Sequence, residues 1–175
     1  TTPRTQAFQF MRVITSSPYS LSVYEEYDAT PIVFAFRSDN ELTEKIAEIS
    51  RYTFSLCSRE FYLAGIKRDR WIWAGDAYLS AKIDYYVSFN CAKIKRTVIA
   101  LLGKPPVVTY INHIMDYTPY MFLMVKDYYV HTGDTAFLRQ IYPMMNEHLQ
   151  FVLSRRNESG LLYKKENDWV HVDWN

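Results

Sequence analysis

The sequence predicts a mainly helical fold entered through a short β segment, and three observations carry that prediction. Apolar side chains alternate over AFQFMRVI (Ala7 to Ile14), with Phe8, Phe10 and Arg12 on one side, as in a strand. From Ser38 onward the apolar residues return at three- and four-residue steps instead. Helix breakers then fall between the periodic stretches: Gly103 with Pro105 and Pro106, Thr132-Gly133, and Glu158-Ser159-Gly160.

Taken in order, LSVYEEY and PIVFAF follow the first alternating run, separated by the turn-like SSP and ATP. Two or three short strands are therefore expected within residues 1–36, as a lead-in to a helical unit over 37–175. Ser38-Asp39-Asn40-Glu41 has the S-x-x-E form of a capping box, which satisfies orphan backbone donors at a helix start. Leu42, Ile46, Ile49, Thr53 and Leu56 form the stripe of the helix it opens. A second helix is expected from Asp76 to Leu102, carrying Leu79, Ile83, Val87, Cys91, Ile94, Val98 and Leu101. A third runs from about Met115 to His131, and Asp134 caps a fourth from about Thr135 to Arg155, which Pro143 would kink or split. Short connections between four long helices favour antiparallel neighbours. IDYYV (Ile83 to Val87) and KDYYV (Lys126 to Val130) echo each other 43 residues apart, a spacing consistent with stacked helical hairpins.

Composition narrows the function classes. Twenty Lys and Arg against 19 Asp and Glu leave a net charge of +1 with no long basic run, which argues against nucleic acid and anionic membranes as partners. The chain is 49% hydrophobic and 17% aromatic, with 15 Tyr and 10 Phe, a load that suits a thick helical core or a sugar-stacking site. No apolar run approaches the roughly 20 residues of a membrane span. The opening TTPRTQAFQF has no signal-peptide core and no initiator methionine, as expected of a processed chain or a piece of one. Cys57 and Cys91 fit neither a CxxC pair nor a disulfide framework and read as buried free thiols. His113, His131, His148 and His171 pair with no other ligand at metal spacing, and neither a phosphate loop nor a G-x-S-x-G elbow is present, so no metal or cofactor is indicated.

The chemistry concentrates in GIKRDRWIWAGDAYLS (Gly65 to Ser80), where Lys67, Arg68, Asp69 and Arg70 meet Trp71 and Trp73 just before a helix. A pocket for a hydroxyl-rich ring needs both kinds of side chain: charges to grip hydroxyls, and aromatic faces to pack on the apolar face of the ring. On that reading Asp69 protonates a leaving oxygen and Asp76 holds a substrate hydroxyl, carboxylates near aromatic faces being common in glycoside hydrolysis. The residues alone leave plainer alternatives open. Asp69 fits a solvated ion cluster, Asp76 and Asp116 fit helix caps, and the tryptophans fit core packing. NDWVHVDWN near the end repeats the polar-aromatic combination with Asp168, Trp169, Asp173 and Trp174.

RYTFSLCSREFYLAGIKRDRWIWAGDAYLS resembles the signature region of bacterial α-L-rhamnosidases, and INHIMDYTPY, DYYVHTGDTAFLRQIYP and NDWVHVDW follow in that family's order and rough spacing. The resemblance implies part of an (α/α)6 toroid of six helical hairpins, with the sugar bound at the centre of one end. It implies hydrolysis of terminal α-L-rhamnosyl residues with inversion and without a cofactor. A rhamnose-containing oligosaccharide or glycoside would be the partner. In the family the acid stands seven residues before the aspartate of a GD pair, which here makes Asp69 the general acid and Asp76 the GD aspartate. Arg68, Trp73, Asp76, Asp116 and Trp169 match positions that line the sugar subsite. An inverting pair of carboxyls stands about 6.5–9.5 Å apart, leaving room for the attacking water.

This sequence departs from the family's pattern in three respects. Ala64 stands where the family usually has an aspartate that binds sugar hydroxyls, a loss of roughly 1.5–3 kcal/mol for one hydrogen bond to a charged group. The acid is Asp rather than the more usual Glu. No part of the chain matches the general base, and four long helices fall short of twelve. The expectation is therefore the N-terminal part of a larger protein, carrying further domains and unable to hydrolyse alone, with apolar faces left exposed. Two alternatives remain on the sequence: a non-catalytic carbohydrate-binding or helical scaffold protein with a decayed site, and another (α/α)6 glycosidase of different specificity.

Overall fold

A computed structural model describes residues 6–33 and 35–166. Among them are five α-helices, α1 (Glu41–Cys57), α2 (Ala74–Val87), α3 (Cys91–Leu102), α4 (Tyr117–Thr132) and α5 (Thr135–Leu153), with one 3-10 turn at Ile111–His113. The expected second helix is thus two helices. Phe89 takes a left-handed φ of 52°, which a helix interior does not accommodate, and Asn90 then accepts from the Lys93 backbone N–H to start α3. The other ends follow the local chemistry. Asn40 Oδ1 accepts from the N–H groups of Leu42 and Thr43 at the start of α1, while Ser38 N–H donates to Glu44. Asp134 Oδ1 accepts from the Phe137 N–H, Gly133 ends α4 in the left-handed conformation, and Pro143 sits within α5 without dividing it.

The core lies between α2 and α4. Ala74, Ala77 and Ala81 put small side chains on one face of α2, and α4 fills the space with Tyr117, Met121, Met124, Val125 and Tyr128. Ring contacts fix the direction of the pair: Trp73 meets Tyr117, Tyr78 stacks on Tyr120, and Tyr85 stacks on His131. Partners advance together along both helices, so α2 and α4 run parallel with partners 42–46 residues apart. The 43-residue echo of IDYYV and KDYYV falls within that offset. α3 and α5 also pack against each other, through Val98, Leu101, Ile141 and their neighbours in the same core, and His148 on α5 bonds the Leu102 carbonyl. Two hairpins, α2–α3 and α4–α5, therefore lie side by side.

The lead-in departs from expectation. Residues 6–33 run extended but pair with no strand, and most of their apolar side chains, Phe10, Ile14 and Tyr24 among them, are exposed. The alternation expected over Ala7–Ile14 has no inward face, since Phe8, Phe10 and Arg12 are all exposed; only over Glu26–Ile32 do alternate residues turn inward, and there they meet helices instead of a sheet. Glu26 pairs with Arg59 at 2.8 Å, Asp28 pairs with Lys93, the Thr30 hydroxyl accepts from Asn90 at 2.8 Å, and Ile32 packs on the core. A cleft of about 270 Å³ lies under this segment, lined in part by Glu26, Asp28, Arg59 and Arg96. α1 is similarly loose: Phe54 is buried, while Leu42, Ile46 and Ile49 are 67%, 56% and 55% exposed. Cys57 and Cys91 are free and half-buried, where burial had been expected.

Candidate active site

The segment between α1 and α2 is anchored at its base and exposed at its tip. At the base the Tyr62 hydroxyl donates to Asp84, the Tyr62 N–H reaches the Thr97 hydroxyl at 3.4 Å, and Lys93 Nζ donates to Ser58 Oγ at 2.7 Å. Ala64 and Trp71 then pair antiparallel, with N···O distances of 3.0 and 3.4 Å. Between them the chain folds back sharply, and the Gly65 carbonyl accepts from the N–H groups of Arg68 (2.7 Å) and Arg70 (3.1 Å). This turn needs left-handed backbone at Gly65 (φ 63°) and Arg70 (φ 48°), and a Cβ on Gly65 would stand 3.2 Å from the Asp69 nitrogen. Lys67, Arg68 and Asp69 are exposed at the tip. Ala64 therefore sits in the pairing that closes the turn.

Trp71 remains 60% exposed, whereas Trp73 is half-buried against the core with Tyr117 edge-on at 6.4 Å. Trp73 occupies the N-cap position of α2 but caps nothing with its side chain. Asp76 lies in the first turn of α2 and is exposed, so it is not the cap that its position after Gly75 suggested. Burial, followed by the nearby Asp76 charge, pushes the Cys57 thiol above its ordinary range, placing the end of α1 near the start of α2. The opposing side is the start of α4. A Cβ on Gly75 would meet the Tyr117 ring at 3.0 Å, so glycine allows this approach without displacing the ring.

Asp116 stands at the N-cap position of α4 and makes no cap hydrogen bond; its Oδ1 is buried and has no hydrogen-bond partner. A buried acceptor without a donor is costly, and a ligand hydroxyl is the kind of group that offsets the cost. Asp116, Tyr117, Trp73 and Asp76 thus gather at the N-terminal ends of two parallel helices, joined by the chain to the turn that bears Arg68 and Asp69. Trp169 lies outside the described residues, as do Asp168, His171, Asp173 and Trp174. Among the described residues no group of three or more His, Cys, Asp or Glu is placed to hold a metal ion, and no helix is long and apolar enough to cross a membrane.

Several residues of this region escape a reading of the sequence. Tyr78 and Tyr120 stack at 5.7 Å beside the Trp73–Tyr117 contact. Asn112 donates from Nδ2 to the Ile72 carbonyl and accepts at Oδ1 from the Ala74 N–H, both at 3.0 Å. The 43-residue echo of DYYV misses the tyrosines by one residue, since Tyr78 and Tyr120 are 42 residues apart. Asn112 had only its own residue type as a signal, asparagine being among the few that adopt left-handed backbone readily.

Residues 31–175 match the bacterial α-L-rhamnosidase six-hairpin glycosidase domain, and the chain belongs to that family. Among solved structures it is similar to the GH78 family rhamnosidase of Bacillus sp. GL1, at 26% identity and a TM-score of 0.67 over 82% of this chain and 16% of that one. It is also similar in fold to a rhamnosidase from Klebsiella oxytoca with rhamnose bound, at 21% identity and a TM-score of 0.63 over 76% of this chain and 29% of that one. No curated protein sequence matches it. The chain therefore spans less than a third of the length of either rhamnosidase.

Proposed function

We propose that the chain is the opening part of an α-L-rhamnosidase catalytic domain, with residues 37–175 as its first hairpins and 1–36 as a linker. Its substrate class is a terminal α-L-rhamnosyl residue of an oligosaccharide or glycoside. The observation that carries this reading is the buried, partnerless Oδ1 of Asp116, next in the chain to Tyr117, whose ring meets Trp73 edge-on. An acceptor that needs a donor, set against aromatic surface, suits a sugar hydroxyl next to an apolar ring face. Asp76 and Arg68 supply further charged partners for hydroxyls, and Trp169 completes the subsite as the family resemblance implies.

In this mechanism Asp69 is the general acid. Its carboxyl proton passes to the glycosidic oxygen as the bond to the anomeric carbon breaks. A water attacks that carbon from the opposite face and gives its proton to a carboxylate base, which inverts the configuration. No residue of this chain matches the base, so the acid and most of the sugar subsite are assigned here and the base to the remainder of the domain. The exposed tip of a tightly folded turn suits an acid that meets a leaving group arriving from solvent.

The test is binding of L-rhamnose, followed by saturation-transfer NMR, together with release of nitrophenol from an aryl α-L-rhamnoside. The chain is expected to bind rhamnose saturably, to lose binding in Asp116→Ala, to gain it in Ala64→Asp, and to release no nitrophenol. Absence of saturable binding would sink the subsite assignment. Turnover abolished by Asp69→Asn would uphold the acid and overturn the placement of the base outside the chain.

A further inference from the structure

We propose that Asn112 is the positioning residue of the sugar subsite, fastening Trp73 to the start of α4 by hydrogen-bonding the peptide groups on either side of it; the inference rests on the reading of Trp73 and Asp116 as subsite residues. The carboxamide of Asn112 reaches across 38 and 40 residues to the Ala74 N–H and the Ile72 carbonyl, at 3.0 Å each. One side chain thus satisfies an orphan donor of the first turn of α2, which Trp73, at the N-cap position, leaves unsatisfied. It also holds the carbonyl immediately before Trp73. With both neighbours fixed, the backbone that aims the indole has little freedom left.

The other end of the clamp is equally constrained. Asn112 has φ 54° and ψ 17°, and His113 follows with φ 59°, two successive left-handed residues that asparagine tolerates better than most. The His113 N–H bonds the Tyr110 carbonyl, the Ile114 N–H bonds that of Ile111, and the Ile111 N–H bonds the Thr118 hydroxyl at 3.0 Å. Residues 110–118 are therefore one folded unit, and Asp116 stands four residues from the carboxamide within it. Movement of Trp73 relative to Asp116 requires the Asn112 bonds to break. A sugar packed on the ring and bonded to Asp116 needs that relation held to a fraction of an ångström.

The experiment compares Asn112→Gly, which keeps the left-handed backbone and deletes the carboxamide, with Asn112→Asp. The aspartate keeps an acceptor for Ala74 and sets a carboxylate oxygen against the Ile72 carbonyl. Two readouts are taken at a temperature where circular dichroism shows each variant folded: the Kd for L-rhamnose, and the ¹⁵N relaxation of the Trp73 indole. The expected result is a rise in Kd of about tenfold in Asn112→Gly, with a smaller rise in Asn112→Asp and greater mobility of the indole in both. If the parent chain binds rhamnose and Asn112→Gly binds it equally well, the positioning role is overturned. If the parent chain does not bind rhamnose, the sugar reading fails; the clamp is then judged on the indole alone, upheld by greater mobility in the variants and overturned by none. Should Asn112→Gly fail to fold, Asn112→Asp carries the comparison.

Discussion

The hydroxyl of Tyr62 donates to the carboxylate of Asp84, a side chain with no exposed surface, and so ties the loop after α1 to the last turn of α2. Ser88 gives the same carboxylate a second donor. Burial, then the Asp84 charge and this hydrogen bond, push the Tyr62 phenol far above the usual tyrosine range. Tyr62→Phe removes one donor from a buried anion and is expected to cost on the order of 1.5–3 kcal/mol. For a chain of this size that lowers Tm by about 4–10 °C, measured by differential scanning calorimetry. An unchanged Tm would show that Asp84 is satisfied without Tyr62.

Lys93 is 2% exposed and holds both Asp28 of the lead-in and Ser58 at the base of the loop. Lys93→Met leaves Asp28 without its charge partner. Because Asp28 keeps some contact with water, the expected loss is about 2–3 kcal/mol, below the range for a fully buried pair. Residues around 26–30 should also be cut faster by a nonspecific protease, with mass spectrometry locating the cuts. Equal rates in parent and variant would mean that Arg59 and Asn90 hold the segment unaided.

At α5 the acid dependence has a definite sign. The Phe137 N–H, then Lys95 and Tyr128, hold the Asp134 carboxyl down at about 2. A depressed folded-state value stabilises the fold above the ordinary carboxylate range near 3.8, and that contribution is lost as pH falls through about 2. Asp28 is shifted in the same direction: burial opposes its ionisation, but the bonds from Lys93 and Thr30 and the Lys93 charge together outweigh it. The Asp134 side-chain carbon, followed by NMR, is expected to titrate near pH 2. A midpoint near 4 would refute the cap network.

The exposed stripe of α1 gives the last expectation. Ile46→Lys with Ile49→Lys replaces two apolar side chains that are each more than half exposed, so the change in Tm should stay within about 3 °C. Self-association should fall at the same time, as measured by sedimentation velocity across a concentration series. A loss of several degrees would mean that the stripe is covered within this chain after all.

Much of this architecture is written locally. Asp134 and Gly133 mark helix ends because each cap acts within three or four residues, whereas the S-x-x-E box at Ser38 misses the cap by two residues: Asn40 holds the position and Ser38 N–H pairs with Glu44 instead of Glu41. The break at Phe89 is hidden by its surroundings. Val87, Cys91 and Ile94 keep helical phase across it, so periodicity continues where the backbone does not, and Asn90 alone marks the restart. The lead-in misleads because the alternation at Ala7–Ile14 has no partner strand within the described residues and leaves both of its faces in solvent. In the candidate site, Asp69, Trp73, Asp76 and Asp116 stand out by residue type. Asn112 does not, since its partners are backbone atoms that any residues at 72 and 74 would supply.

The parallel register of α2 and α4 has a consequence for how damage spreads. The two hairpins meet along a flank, so they behave as coupled neighbouring units. A lesion inside one unit, such as a cavity at Ile94 on α3, should weaken the adjoining hairpin through the shared flank. A second coupling lies at the start of α2 and α4, where Asn112 links one unit's entrance to the next. Substitutions there act on two hairpins at once, so the same few residues that gather at these helix starts also set how tightly the two units are coupled.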